Sequence, residues 1–139
     1  MNVKRICFLG TRTRNFEATS ALFRDVLGLR SVHTGADWSI FQLPSARGDF
    51  VEVYGPENTI VFPAEVGEGV VVAFAVDDIA AARQELAAAK VELIGDLVWA
   101  NELFVDPSLE GFGWFFFRGP DKNVYVMQQD SRLEPSLTG

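Results

Sequence analysis

The chain has one histidine, His33, and one cysteine, Cys7, among its 139 residues. A lone cysteine excludes an internal disulfide framework and any cysteine-rich zinc module. A lone histidine excludes every metal site that needs two histidines from one chain. Bases are scarce as well: 12 Lys and Arg face 19 Asp and Glu, for a net charge of −7. A nucleic-acid binder would normally carry the opposite, basic footprint. No apolar run approaches the roughly 20 residues of a membrane-spanning helix. The opening Met1-Asn2-Val3-Lys4-Arg5 leads into only a few apolar residues before Gly10, short of the core of a signal peptide. Neither a nucleic acid nor a membrane is therefore an expected partner, and the expected setting is the cytoplasm. Gly111-Phe112-Gly113 lacks the phosphate-binding pattern and leads into a strand. No Ser-His-Asp set can be located by spacing.

What is plentiful is aromatic. Twelve Phe, three Trp and two Tyr stand in a chain that is 48% hydrophobic and 22% charged. That composition suits one ordinary domain with a well-buried core. The rings exceed what so small a core needs, and a planar or amphipathic ligand between them is a natural use of the surplus. Charge is uneven: residues 1–30 hold six bases against Glu17 and Asp25, so the rest is strongly acidic. Solvated surface explains most of this.

Val3–Gly10 reads as a strand. Asn15 caps a helix from Phe16 to Leu27, with Thr19, Leu22, Phe23, Val26 and Leu27 on one face and Gly28 at its end. Strands follow at Leu29–His33, Trp38–Leu43 and Phe50–Tyr54. Gly55–Gly67, with two Pro and two Gly, reads as a linker. The series then repeats: strand Gly69–Val76, a helix with Ile79, Ala82, Leu86 and Ala89 on one face, and strands Val91–Leu97, Gly111–Arg118 and Asn123–Gln128. An offset of 63 pairs Phe8 with Val71, Asn15 with Asp78, Phe16 with Ile79 and Phe23 with Leu86. The expected fold is α+β, with two βαβββ modules forming a curved mixed sheet around a cleft. The modules cover 1–55 and 69–129 of one domain, a linker covers 56–68, and a flexible tail covers 130–139.

Three segments carry a resemblance. Leu22-Phe23-Arg24-Asp25-Val26-Leu27-Gly28-Leu29 resembles the "FYrdvLGL" signature of the vicinal oxygen chelate superfamily, which includes glyoxalases, bleomycin-resistance proteins and extradiol dioxygenases. Ala73-Phe74-Ala75-Val76-Asp77-Asp78-Ile79 resembles its "AFxVDDl" segment, and Arg118-Gly119-Pro120-Asp121-Lys122-Asn123 its "DPDGN" turn. The likeness covers roughly residues 3–128. It implies a homodimer. It also implies four metal-ligand positions, which here fall on Phe8, Glu52, Val71 and Val126. Only Glu52 has a lone pair to offer, and one carboxylate does not hold a catalytic Zn²⁺, Ni²⁺ or Fe²⁺. No cofactor is expected.

The residue readings follow strand parity. His33 reads as a surface or turn histidine, and Cys7 as a buried thiol on the face opposite Phe8. If Phe50, Glu52 and Tyr54 share the cleft face, a carboxylate sits among aromatics, available to a cationic ligand or as a general base. Trp114 and Phe116 alternate with Phe115 and Phe117, and parity leaves open which pair lines the cleft. Trp38 and Trp99 are candidate cleft or rim residues. The expected ligand-binding set is therefore Phe8, Trp38, Phe50, Glu52, Tyr54, Val71, Trp99, Trp114, Phe116 and Val126, with no metal. The function it implies is metal-free sequestration of a planar or cationic drug or metabolite, as in the bleomycin-resistance branch. The alternative is a glyoxalase- or dioxygenase-like lyase or isomerase with Glu52 as base or an unrecognised metal site.

Overall fold

The computed structural model describes residues 1–45 and 48–132 and runs through a β-α-β-β-β order twice, an α+β fold. The first series is β1 (Arg5–Arg12), α1 (Phe16–Ala21), β2 (Arg30–Thr34), β3 (Trp38–Gln42) and β4 (Phe50–Tyr54). The second is β5 (Gly69–Ala75), α2 (Ile79–Ala88), β6 (Glu92–Trp99), β7 (Phe112–Arg118) and β8 (Val124–Asp130), with a short extra helix, α3 (Ala100–Leu103), after β6. Two compact units result: Cys7–Val72, and Met1–Ile6 together with the chain from Ala73. The first residues join the second unit because the Lys4 amide donates to the Ala75 carbonyl at 2.9 Å and its ammonium pairs with Asp77 at 2.7 Å. Asp130 ends β8, and residues 133–139 of the expected tail lie outside the described residues. Among the described residues no helix is long and apolar enough to cross a membrane.

In the first unit the strand order is β2-β3-β4-β1, with β1 parallel to β4 and the other neighbours antiparallel. The register pairs Phe8 with Phe50, Gly10 with Glu52 and Arg12 with Tyr54, and Trp38 pairs with Tyr54 across β3 and β4. Alternation therefore gathers Phe8, Gly10, Arg12, Phe50, Glu52, Tyr54 and Trp38 on one face. Phe41 and Val53 are buried on the other face, where Phe23 meets Phe41 edge to face.

The expected helix Phe16–Leu27 is not one regular helix. After Ala21 it winds as a π-helical turn over Leu22–Val26, and the Leu27 amide reaches back five residues to the Leu22 carbonyl at 3.0 Å. That wider winding breaks the 3.6-residue stripe, so Leu22, Val26 and Leu27 are exposed rather than buried.

In the second unit the order is β5-β8-β7-β6. The Asp78 carboxylate accepts the Ala81 amide at 3.0 Å and starts α2, as its cap position requires. Ile79 and Ala82 of α2 pack on Val76, Phe115 and Met127, with Leu86, Leu93, Trp99 and Phe117 around them. The open question about β7 is thereby answered: Phe115 and Phe117 face the helix, and Trp114 and Phe116 the other side.

Gly113 is the tight point of this layer. A Cβ there would come 2.7 Å from the Trp99 ring, 2.8 Å from Ile79 and 2.9 Å from the Val98 carbonyl. Since a backbone carbonyl cannot swing away, Gly113→Ala should destabilise the protein by about 2–3 kcal/mol. A urea midpoint unchanged in that variant would show that the layer yields instead.

Candidate functional site

Glu52 is the chemical centre of the first unit. It is 8% exposed, and its Oε1 accepts both the Tyr54 hydroxyl at 2.5 Å and the Trp38 indole N–H at 3.0 Å. Burial pushes its carboxyl above the ordinary carboxylate range, and the two donors oppose that shift without cancelling it. Burial, with the neighbouring Glu52 adding to it, also lifts the Tyr54 phenol well above 10.

The rings form a ladder. His33 sits 4.9 Å from Trp38, Trp38 stacks on Tyr54 at 5.9 Å, and Tyr54 stacks on Phe62 at 4.2 Å. The Arg12 guanidinium caps the last ring at 5.2 Å. Phe62 belongs to the stretch read as a linker, which also carries buried Asn58 and Val61. The isolated Phe of that stretch was its only sequence sign, and Pro and Gly around it pointed the other way.

The structure thus brings together Trp38, Glu52 and Tyr54, sets Phe8 beside Phe50 in register, and buries Phe8 and Val71. His33 is exposed on β2 and Cys7 is buried.

A divalent metal, which the family positions would imply, does not suit these residues. Phe8, Val71 and Val126 have no lone pair, and Glu52 already spends one oxygen on two donors. Among the described residues no three His, Cys, Asp or Glu side chains gather into a metal-holding group.

The second unit presents a different face. Register places Phe116 opposite Val126 and Trp114 opposite Gln128, while Ala73 pairs with Val126. Trp114, Phe116 and Val126 are each at most 5% exposed, yet the Trp114 indole Nε1–H has no hydrogen-bond partner among the described residues. Among the described residues the Gln128 carboxamide makes no hydrogen bond either. Sequence reasoning missed Gln128, although its position two residues beyond Val126 on one strand was a usable signal. Trp99 requires a correction. It pairs with Gly113 and packs into the cluster under α2, because its parity puts it on the helix side, away from Trp114.

No protein-family model matches the sequence, and no curated protein matches it. Solved structures do. A Streptomyces coelicolor methylmalonyl-CoA epimerase variant in complex with 2-nitronate-propionyl-CoA is 18% identical, at TM-score 0.70, over 96% of this chain and 99% of that one. The chain has the vicinal oxygen chelate fold. A glyoxalase/bleomycin resistance protein/dioxygenase superfamily member from Vibrio splendidus 12B01 shares it at TM-score 0.60 and 20% identity, over 91% and 98% of the two chains. So does the Mn(II)-bound glyoxalase from Novosphingobium aromaticivorans, at TM-score 0.65 and 19% identity, over 97% of this chain and 43% of that one. The vicinal oxygen chelate fold therefore serves epimerase and glyoxalase neighbours alike, and function rests on the site.

Proposed function

We propose that the chain is a small-molecule-binding protein of the glyoxalase/bleomycin-resistance type. It acts without a metal, sequestering a planar drug or metabolite against an aromatic sheet face, and works as a cytoplasmic homodimer. The observation that carries this reading is the Trp114 indole N–H, buried and without a partner among the described residues, on the face that also holds Phe116, Val126 and Gln128. A buried donor left unsatisfied costs about 1–3 kcal/mol, and a ligand acceptor placed against it removes that cost. Phe116 and Phe112 add ring surface, Phe112 lying 5.2 Å from Trp114. The Gln128 carboxamide supplies both a donor and an acceptor for a flat, functionalised ring. The acidity of the chain leans toward a cationic ligand, but more weakly than the indole leans toward an acceptor.

The test is a screen of planar compounds by tryptophan fluorescence and melting temperature. Binding should quench the emission and raise the melting temperature by mass action. Trp114→Phe, which keeps the ring and removes the N–H, should weaken a hit by about 5–10-fold, the worth of one hydrogen bond. Equal affinity in that variant, or one transition metal per chain by elemental analysis, would overturn the reading.

A second reading, an enzyme with Glu52 as general base, is favoured by one observation: the residue is 8% exposed, and burial raises its carboxyl pKa above the ordinary carboxylate value. Glu52→Gln should then abolish turnover while sparing binding.

A further inference from the structure

The stretch 55–67 lies on the sheet face of the first unit as a strap. Beyond the Gly55 amide, which donates to the Asp37 carbonyl at 2.8 Å, its backbone bonds are local turns: the Asn58 amide to the Gly55 carbonyl at 3.2 Å, Val66 to Pro63 at 3.1 Å, and Gly67 to Ala64 at 3.0 Å. Glycines bound it, Gly55 at one end and Gly67 and Gly69 at the other, the last two at φ of +69° and +117°. Such positions can absorb a large backbone change.

Two things hold the strap down. The Phe62 ring, 1% exposed, stacks on Tyr54 in a slot that exists because Gly10 has no side chain. A Cβ on Gly10 would lie 3.3–3.4 Å from Phe8, Tyr54 and Phe62 together. The second tie is Arg12, itself 4% exposed. Its Nη1 donates to the Pro63 carbonyl at 2.9 Å and its Nη2 to the Asn58 carbonyl at 2.7 Å. Its Nε–H is buried with no hydrogen-bond partner among the described residues.

The strap thus offers the sheet face one flat ring and two neutral oxygens side by side on a guanidinium fork. An aromatic carboxylate offers the same set in one small molecule, with charged oxygens in place of neutral ones. Carboxylates form the stronger, bidentate bond to arginine, and a fork has room for a third acceptor at Nε.

We propose that the strap is a hinged cover over a second binding site, and that this site takes an aryl or arylalkyl carboxylate. On opening about Gly55 and Gly67–Gly69, Phe62 leaves Tyr54 and the Arg12 fork loses its two carbonyls. The ligand ring then takes the place of Phe62, and its carboxylate takes the places of the Asn58 and Pro63 oxygens. The site is built from first-unit residues alone, so it does not rest on the ligand proposed for Trp114. The apparent affinity should then be the intrinsic one reduced by the fraction of molecules with the strap open.

Phenylacetate is the probe, with neutral phenylacetamide and cationic benzamidine as controls. Hydrogen exchange of the wild-type protein should show strap amides opening without global unfolding, faster than β1 and β4. Saturating phenylacetate should speed strap exchange further, whereas phenylacetamide and benzamidine should not. Phe62→Ala removes the competing ring and should raise phenylacetate affinity at least tenfold. Arg12→Gln should erase the preference for phenylacetate over phenylacetamide. Strap amides that open only with the whole protein, or exchange that phenylacetate leaves unchanged or slows, would overturn the proposal. So would equal binding of phenylacetamide by Phe62→Ala, since the slot would then be a mere cavity. Should Phe62→Ala fail to fold, Phe62→Leu repeats the comparison, and the wild-type exchange stands without either variant. Trp114→Phe tests the binding reading proposed above alone, so each reading can fail without the other.

Discussion

Phe115→Ala should lower the stability of the protein by about 3–5 kcal/mol, the range for emptying a fully buried ring. Phe115 is 0% exposed and stands at the centre of the cluster formed by Val76, Ile79, Ala82 and Met127. Two features keep the vacated space from closing. The Gly113 neighbourhood is already in tight contact with Ile79 and Trp99, and β7 is held in register on both sides by β6 and β8. A cavity therefore remains, and its lining loses dispersion contacts as well as transfer energy. Thermal unfolding should register a melting point lower by roughly 10–20 °C for a chain of this size. Phe115→Leu, which keeps much of the volume, should lose less than half as much. A Phe115→Ala variant within 1 kcal/mol of the parent, judged by approximate urea extrapolation, would mean that the helix collapses onto the gap.

Glu52→Ala should cost about 2–3 kcal/mol, because it strips the acceptor from two donors at once. The Tyr54 hydroxyl and the Trp38 indole N–H both end on Oε1, and each buried donor left unpaired costs about 1–3 kcal/mol. Removing a buried carboxylate returns part of that sum. Glu52→Gln keeps an amide oxygen in place and should stay within about 1 kcal/mol of the parent.

The same pair of proteins reports the pH dependence. Burial holds the Glu52 carboxyl above its ordinary value of 4.5, so the folded chain keeps this proton at pH values where the unfolded chain releases it. Stability from this residue therefore rises as pH falls through the raised pKa, and is fully present below the ordinary one. The cost is complete above the raised value. This is the reverse of an ion-paired carboxylate. Urea unfolding between neutral pH and pH 4 should show the parent gaining on Glu52→Gln as acid is added. A parent that loses ground over that interval would show that the two hydrogen bonds outweigh desolvation.

Much of the fold was legible because its signals are local. The alternation along Phe50–Tyr54 placed Glu52 and Tyr54 on one face, and register brings Trp38 to the same face. Side-chain period is a property of a strand alone, so composition and spacing reach that far. The π-helical turn was not legible. Leu22, Val26 and Leu27 have the spacing of a buried stripe, and only the backbone winding puts them in solvent. Trp99 was misplaced for a related reason: parity across a β-bulge or a turn needs the register, which shifts between Ile94 and Val98 around Gly95 at φ +66°.

The lone histidine and the lone cysteine exclude, from sequence alone, an internal disulfide and any metal site that needs two histidines from one chain. No arrangement of one carboxylate among Phe8, Val71 and Val126 supplies a metal with its donors. What tertiary structure decided is where the rings are spent. Phe115, Phe117 and Trp99 serve the helix-side core, Trp114 and Phe116 the opposite face, and Phe62 folds back onto Tyr54 under the hold of Arg12. The reason is range. Alternation and capping act over a few residues, but the slot above Gly10 is formed by side chains as far apart as Phe8 and Phe62, and only the folded chain brings them together.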